Sequence, residues 1–476
     1  MVNSFNDDLI KLIRLSNDIE SKIQLTRFFG ETNSFFDMGV YESKILENEI
    51  VKFFISKVPT CTTLKPDNIK KNTLHVISTP YVTGGHTRLC ERLAVMESIK
   101  PDILVTRYLN EISDSVQRLN TFFESNYYVD AKSSMEKQIL QNMRFLINYK
   151  NVVLHIHQDD ICLVVALGIL RKYNPINVFF VNHADHCFSF GDSVTDVKLQ
   201  ISARGYLLDK ERIDKEYISS FIGIPLKVCV DKLEFQDRPV NFMMAGSSWK
   251  MKPNKYGSSP QIVDHILTEI VDSKFIIVGT NIYWDYWWWK ILFKYGRRVS
   301  FFNEIEYNKY MEITAEADAC VDTCPVVGGT AFVELCLQGL KPFGVLSGIS
   351  GYTPLDIVKS ENVFNVLNQK IPTSIFENII ETHDFFNVRK KYLDAKAGRY
   401  HELPKSLLGN GNDMDLFKKG KRIYYSWFVF RLFFRVKYNV KFSLIPILLK
   451  HFSYCSLIRL FFSIIPKFFR TILKVK

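Results

Sequence analysis

Ala319-Cys320-Val321-Asp322-Thr323-Cys324-Pro325-Val326-Val327-Gly328-Gly329-Thr330-Ala331-Phe332-Val333-Glu334 runs from a short apolar stretch, through a proline and a glycine pair, into a segment of helical character. The pattern predicts a strand over 319–322, a turn, and a helix over 331–338. A glycine pair and a threonine at a helix start offer backbone N–H groups and a hydroxyl to a phosphate. Glu334, about one turn into that helix, is placed to accept hydrogen bonds from ribose hydroxyls. A strand that runs into such a helix start is the repeating unit of a parallel, helix-covered sheet.

Outward from this unit the same alternation recurs. Strands are predicted over 240–245, 275–278, 299–302 and 343–346, with helices over 261–271 and 307–315. Before Arg238-Pro239 a first series has strands over 73–78, 102–106, 151–156 and 177–181, and helices over 88–98 and 161–173. Unalternating apolar strands separated by helices indicate a parallel sheet covered on both faces. The expected fold class is therefore α/β, with two Rossmann-like parallel-sheet domains facing a cleft. The expected division is an N-terminal helical segment over 1–60, a first sheet domain over 61–235, a second over 236–415, and a tail over 416–476. In the first segment Leu9, Leu12, Ile13, Ile19 and Ile23 fall near helical spacing.

Ligands in such sheets bind beyond the carboxyl ends of the strands, so the residues there are the candidates. After the first strand comes Gly84-Gly85-His86-Thr87-Arg88, a glycine pair running into a helix. His155-Ile156-His157-Gln158-Asp159-Asp160 follows the third, where an aspartate can simply cap the next helix. Val181-Asn182-His183-Ala184-Asp185-His186 follows the fourth and concentrates titratable groups just past a buried strand. A zinc site at His183, Asp185 and His186 lacks a fourth ligand at familiar spacing, so no metal is expected. In the second series Gly246-Ser247 leads to Lys250, Lys252 and Lys255, a glycine at a strand end followed by mobile cations suited to a diphosphate. Thr323, Gly328, Gly329, Thr330 and Glu334 complete the donor-side candidates.

Composition narrows the function classes. The net charge is +11 with 61 basic and 50 acidic residues. Residues 418–476 contain 14 of the basic residues and no acidic one, so the remainder holds 47 against 50 and is nearly neutral. The nine cysteines form no C-x-x-C pair, which suits a reducing compartment. No uncharged apolar stretch is long enough for a spanning helix, and the first eleven residues do not read as a signal peptide. The tail instead interleaves cations with large apolar residues, as in Trp427-Phe428-Val429-Phe430-Arg431 and Pro466-Lys467-Phe468-Phe469-Arg470. Such a pattern suits helices lying on an anionic membrane surface. Packing of part of 416–430 against the first domain is the alternative. So many Phe, Leu and Ile residues are unusual for a nucleic-acid arm, and no nucleic acid is expected.

Taken in order, these motifs resemble the two-lobed (GT-B type) retaining glycosyltransferases of bacterial polysaccharide assembly, family 4 or group 1. Gly84-Gly85-His86-Thr87-Arg88 is similar to their first-lobe glycine loop. His155-Ile156-His157 and Val181-Asn182-His183 are similar to their paired strand-end histidines, the second of which contacts the transferred sugar. Gly328-Gly329-Thr330 with Glu334-Leu335 resembles the helix whose glutamate binds the nucleotide ribose. Asp322 through Gly339 also resembles protein O-GlcNAc transferases, which invert. Two positions depart from the polysaccharide family: Ser247 stands where it has an arginine, and Val326 where it has a first glutamate.

The resemblance implies transfer of a hexose or N-acetylhexosamine from a nucleoside-diphosphate sugar to a hydroxyl. The implied acceptor is a lipid-linked glycan or polysaccharide in surface-glycan assembly (lipopolysaccharide or capsule). The donor is a co-substrate, and no cofactor or metal is required. His183 and His186 are the catalytic candidates, as base or sugar-orienting group, with Gly84, Gly85, His86 and His157 around the acceptor or sugar. The expected location is cytoplasmic, peripheral on the inner face of the membrane. A polyol-phosphate transferase and a non-catalytic sugar-nucleotide-binding scaffold remain alternatives.

Overall fold

The computed structural model describes residues 2–35, 40–81, 85–108, 114–185, 187–210, 212, 215–228, 240–254, 257–346, 355–356, 359–404 and 438–451. Three helices open the chain: α1 (Val2–Leu15), α2 (Ile19–Phe35) and α3 (Lys44–Lys57). They are followed by β1 (Leu74–Ile77), α4 (Gly85–Val95), β2 (Asp102–Tyr108), α5 (Asp114–Phe122), β3 (Asn126–Asp130), α6 (Met135–Leu146), β4 (Asn151–His155), α7 (Ile161–Leu170), β5 (Asn177–Asn182), β6 (Val197–Gln200), α8 (Ala203–Lys210) and β7 (Ile218–Phe221). The second series is β8 (Asn241–Ala245), α9 (Ser248–Met251), α10 (Ser259–Glu269), β9 (Lys274–Val278), α11 (Trp289–Tyr295), β10 (Val299–Phe302), α12 (Tyr307–Ala315), β11 (Ala319–Val321), α13 (Thr330–Leu337), β12 (Lys341–Phe343), α14 (Thr373–His383) and α15 (Phe385–Lys396). A last helix, α16 (Tyr438–His451), packs on α1 and α2.

The strands form two all-parallel sheets, ordered β3-β2-β1-β4-β5-β6-β7 and β10-β9-β8-β11-β12. Each begins in the middle, runs to one edge, and returns to fill the other side. The order reverses between β1 and β4 in the first sheet and between β8 and β11 in the second, and a crevice opens at such a point. Two Rossmann-like lobes are thus present, as expected. Strands such as β1 (LHVI) and β5 (NVFFVN) are buried on both faces, which explains their unbroken apolar character. α7 is apolar on every side and almost wholly buried beneath α3 and α6.

The cores place the remaining elements. α1, α2 and α3 contribute Phe5, Leu9, Ile13, Ile23, Phe28, Phe54 and others to the same apolar cluster as β1, β4 and α7. The N-terminal helices therefore form an outer layer of the first lobe. A second cluster continues from Leu89, Val153 and Phe179 of the first lobe to Met243, Val333 and Tyr392. α15 returns to the first lobe, where Lys396 and Tyr392 both reach Glu97 at 2.5 Å.

Several elements differ from the sequence expectation. α4 starts three residues earlier, so Gly85 and His86 belong to its first turn. The last strand of the second sheet lies at Lys341–Phe343 rather than 343–346, and includes Pro342. It pairs only with β11, and an edge strand tolerates a residue without an N–H. β3, β6 and β7 extend the first sheet beyond the four predicted strands. Of the tail, only α16 is described, and it is docked rather than detached. Val440, Leu444 and Leu448 enter the first core, while Lys450 and His451 reach Asp8 at 2.6 and 2.8 Å. The aromatic runs at 427–431 and 466–470 lie outside the described residues.

Candidate functional site

The loop after β11 is folded around one carboxylate. Asp322 Oδ1 accepts the N–H groups of Thr323 (2.8 Å) and Gly328 (2.6 Å), and its Oδ2 pairs with Lys359 at 2.5 Å. A Cβ on residue 328 would lie 2.6 Å from Asp322 Oδ1, so only glycine permits this closure. Gly329 then adopts φ +57° as the N-cap of α13. The strand-to-helix turn is rigid for these reasons, and it presents Thr330 and Glu334 to the gap between the lobes.

A cavity of about 390 Å³ occupies that gap at the carboxyl ends of the second sheet. Gly246, Ser247, Thr330 and Glu334 line it from the second lobe, and Gly85, Arg88 and Arg92 line it from α4 of the first. A somewhat larger cavity, about 490 Å³, lies against Lys70, Tyr127 and Tyr149 at the amino ends of the first sheet. That end carries no strand-to-helix turn, so the interlobe cavity is the one placed for ligand chemistry.

The interlobe cavity is strongly polarised. Arg92 donates to Glu334 Oε1 at 2.5 Å, and Tyr307 donates to the same oxygen at 3.2 Å. The Arg88 guanidinium lies 4.1 Å from the centroid of the Tyr307 ring. Burial lowers the Arg88 pKa, with the neighbouring Arg118 second. Burial also raises that of Tyr307, with the Glu334 carboxylate second, so the phenol stays protonated as a donor. Two arginines, a glutamate and a helix start thus face one cavity, an arrangement able to hold a polyanion and a diol together.

A row of imidazoles adjoins it at the switch point of the first sheet. His86 stacks on His183 with ring centroids 4.2 Å apart and lies 5.3 Å from His157, which itself stacks on Tyr81. His86 Nε2 is 2.8 Å from the carbonyl oxygen of His155, the contact that fixes its ring. Burial depresses the pKa of His157 to about 4 and that of His86 well below its usual value. Both rings are therefore neutral near pH 7. Deeper in the sheet His155 Nε2 meets His75 Nδ1 at 3.1 Å, and His75 Nε2 lies 3.5 Å from Glu97. His155 is thus part of the core.

Some candidates support the site without lining the cavity. Thr323 Oγ1 donates to the Val326 carbonyl and stays buried in the turn. Lys250 Nζ donates to the Val327 carbonyl at 3.1 Å while Val326 N–H donates to the Lys250 carbonyl, so this lysine ties the loops after β8 and β11 together. Lys252 Nζ lies 5.6 Å from the Trp287 ring. Asp185 is buried against Arg204 and Ser202, which removes it from any metal set. Asp160 sits at the N-cap of α7, but its carboxylate accepts Ser78 and Thr106 hydroxyls, and Asp159 pairs with Arg27 and Arg107. Gly84, His186 and Lys255 lie outside the described residues.

Arg92 and Tyr307 were not among the sequence candidates. Arg92 follows Arg88 at i+4 on the helix after the glycine pair, and Tyr307 opens the helix after β10. Strand-end reasoning applied to β10 and to the second turn of α4 reaches both.

No family model and no curated protein matches the sequence. Solved structures do. The Anabaena Alr3699/HepE complex with UDP and glucose is similar over 68% of this chain and 99% of its own, at 10% identity and a TM-score of 0.50. The apo lipopolysaccharide outer core galactosyltransferase WaaB is similar over the same shares, at 13% identity and a TM-score of 0.50. A Thermobaculum terrenum O-GlcNAc transferase mutant aligns over 90% of this chain and 76% of its own, at 10% identity and a TM-score of 0.42. Two parallel sheets of matching order, their carboxyl ends turned toward a shared cavity, have the two-lobed GT-B fold of these glycosyltransferases.

Proposed function

We propose that the chain is a glycosyltransferase that moves a hexose or N-acetylhexosamine from a nucleoside-diphosphate sugar to a hydroxyl. The observation that carries this reading is the cavity shared by Glu334 and Thr330 of α13 and by Arg88 and Arg92 of α4. Glu334 accepts the ribose hydroxyls, while Thr330, the N–H groups at the start of α13 and the two arginines hold the diphosphate leaving group. Protein cations facing the diphosphate supply the charge for which other sites use a metal ion, so no metal is required. The Anabaena protein solved with UDP and glucose, and the galactosyltransferase WaaB, agree with this reading in chemical class. His183, stacked on neutral His86, orients the transferred sugar or accepts the acceptor's proton.

The acceptor in this reading is a lipid-linked glycan or polysaccharide of surface-glycan assembly, met by an enzyme peripheral on the inner face of the membrane. α16 supports it: Phe442, Ile445, Leu449 and Lys450 remain exposed on the docked helix, a mix of apolar, aromatic and basic side chains. Among the described residues no helix is long and apolar enough to cross a membrane.

A thermal-shift screen against UDP-, GDP-, CMP-, CDP- and TDP-linked sugars and polyols tests the donor site. A rise in melting temperature with one nucleotide sugar, lost in Glu334→Ala, is expected. A response to a CDP-polyol alone would replace the reading with a polyol-phosphate transferase. Ser247 and Val326, at positions that hold charged residues in the resembled family, favour a non-catalytic scaffold as the second reading. Donor binding without turnover on any acceptor would establish it.

A further inference from the structure

The stretch Ile282-Tyr283-Trp284-Asp285-Tyr286-Trp287-Trp288-Trp289-Lys290 follows β9 after Gly279-Thr280-Asn281, of which Gly279 lines the interlobe cavity. Of its aromatic side chains, Trp288 is fully buried as an anchor. Tyr283, Tyr286 and Trp289 are 81, 62 and 45% exposed, and Phe293, one helical turn beyond Trp289 on α11, is 80% exposed. The display is held in place. Asp285 accepts Thr280 Oγ1 and the Asn281 N–H, both at 2.8 Å, and Trp289 Nε1 donates to the Ile282 carbonyl at 2.8 Å.

From these observations we infer that this face of the second lobe, from the cleft rim along α11, docks on an anionic lipid surface. Three features select that occupant. Tyrosine and tryptophan combine an apolar body with a polar edge and settle at the headgroup level, and phenylalanine adds apolar depth. Charge is complementary: between 281 and 298 the one acidic residue, Asp285, is buried and engaged within the turn, whereas Lys290 and Arg297 are exposed. Asp264 of the neighbouring α10, the nearest carboxylate paired with this face, is neutralised by Lys294 at 2.7 Å. A glycan platform would instead set carboxylates or amides beside the rings to engage sugar hydroxyls, and this segment offers cations. The face begins where the cavity ends, so a membrane held there brings lipid-borne hydroxyls to the cleft. The inference concerns a surface and stands whether or not a donor is turned over.

Four of the six tryptophans, 284, 287, 288 and 289, belong to this region; Trp249 is on α9, and the sixth is Trp427 in the tail. The test is therefore intrinsic fluorescence of the full-length chain carrying Trp427→Phe, on phosphatidylglycerol vesicles with or without brominated acyl chains. Quenching by the brominated lipid is expected, and it is reduced by Trp289→Phe. Tyr286→Ser with Phe293→Ser weakens vesicle affinity about tenfold or more, the scale set by the apolar area withdrawn. An unchanged melting temperature shows that the variants fold. Vesicle binding without bromine quenching would mean that the tail alone holds the membrane and would overturn the proposal. So would fluorescence changes driven by soluble oligosaccharide or by self-association in place of lipid. Donor-induced thermal shifts are read separately, so failure here leaves the transferase reading untouched.

Discussion

At the scale of single residues, the cavity is organised around one carboxylate with three claims on it. Glu334 already holds Arg92 and Tyr307, and in the proposed donor complex a ribose adds hydroxyl donors to the same group. Glu334→Ala removes that acceptor and leaves a guanidinium facing the cavity without its partner. Donor affinity is expected to fall by about 1–3 kcal/mol, read by isothermal titration, and an unchanged value would sink the ribose assignment. Arg88 has a different requirement. Its planar cation rests on the Tyr307 ring, a contact that lysine reproduces poorly even though it keeps the charge. Arg88→Lys is therefore expected to weaken the donor by about 0.5–2 kcal/mol. Full affinity in the same titration would show that charge alone suffices. That Glu334, Thr330 and Gly246 line a strand-end cavity was legible in the sequence, because a glycine at a strand end and an acid on the next helix are local patterns. The arginines were not read as cavity residues because the cavity is completed by a lobe some 240 positions away in the chain. Proximity in sequence pointed instead to Lys250, which the fold uses to tie two loops together.

At the scale of elements, strands with continuous apolar runs announced themselves and strands with buried polar residues did not. β6 (VKLQ) carries Lys198 and Gln200, both buried. Lys198 finds Asp192 at 2.7 Å and Gln200 finds Asp209 at 2.7 Å, partners supplied by a turn and by α8 that no periodicity reveals. α15 is a similar case, since its attachment to the first lobe depends on Glu97. Burial opposes ionisation of that carboxyl, but the hydrogen bond with His75 and the Lys396 charge prevail and hold its pKa at about 2. A depressed carboxyl contributes stability that is present above its unfolded pKa, near 4.5, and is lost as pH falls toward 2. Glu97→Gln is thus expected to destabilise the protein by about 3 kcal/mol at neutral pH, the cost of leaving a buried ammonium without its counter-charge. In urea titrations the gap between variant and parent should narrow below pH 4. A gap that stays constant with pH would assign the loss to packing.

At the scale of the whole molecule, the two lobes meet over a shared cleft. An apolar cluster spans both, α15 straps the second to the first, and Arg92 to Glu334 closes the cleft rim. A close approach between the lobes is at Gly85, where an added Cβ would lie 3.1 Å from Thr330 Oγ1 and 3.2 Å from Thr330 Cβ. A glycine at the first turn of α4 therefore serves the closure of the cleft. Gly85→Leu inserts a wedge at a point where the lobes meet through backbone and a short side chain. Forcing extra carbon into such a contact costs about 1–3 kcal/mol, which the molecule avoids by opening. The expected result is a larger radius of gyration in small-angle scattering with little change in unfolding free energy, since each lobe keeps its own sheet. Because the proposed donor site draws groups from both lobes, opening should reach affinity as well, weakening it by the same 1–3 kcal/mol, about 5- to 150-fold. An opened molecule that binds donor as tightly as the parent would show that the second lobe alone makes the site, and that Arg88 and Arg92 act after binding rather than in it.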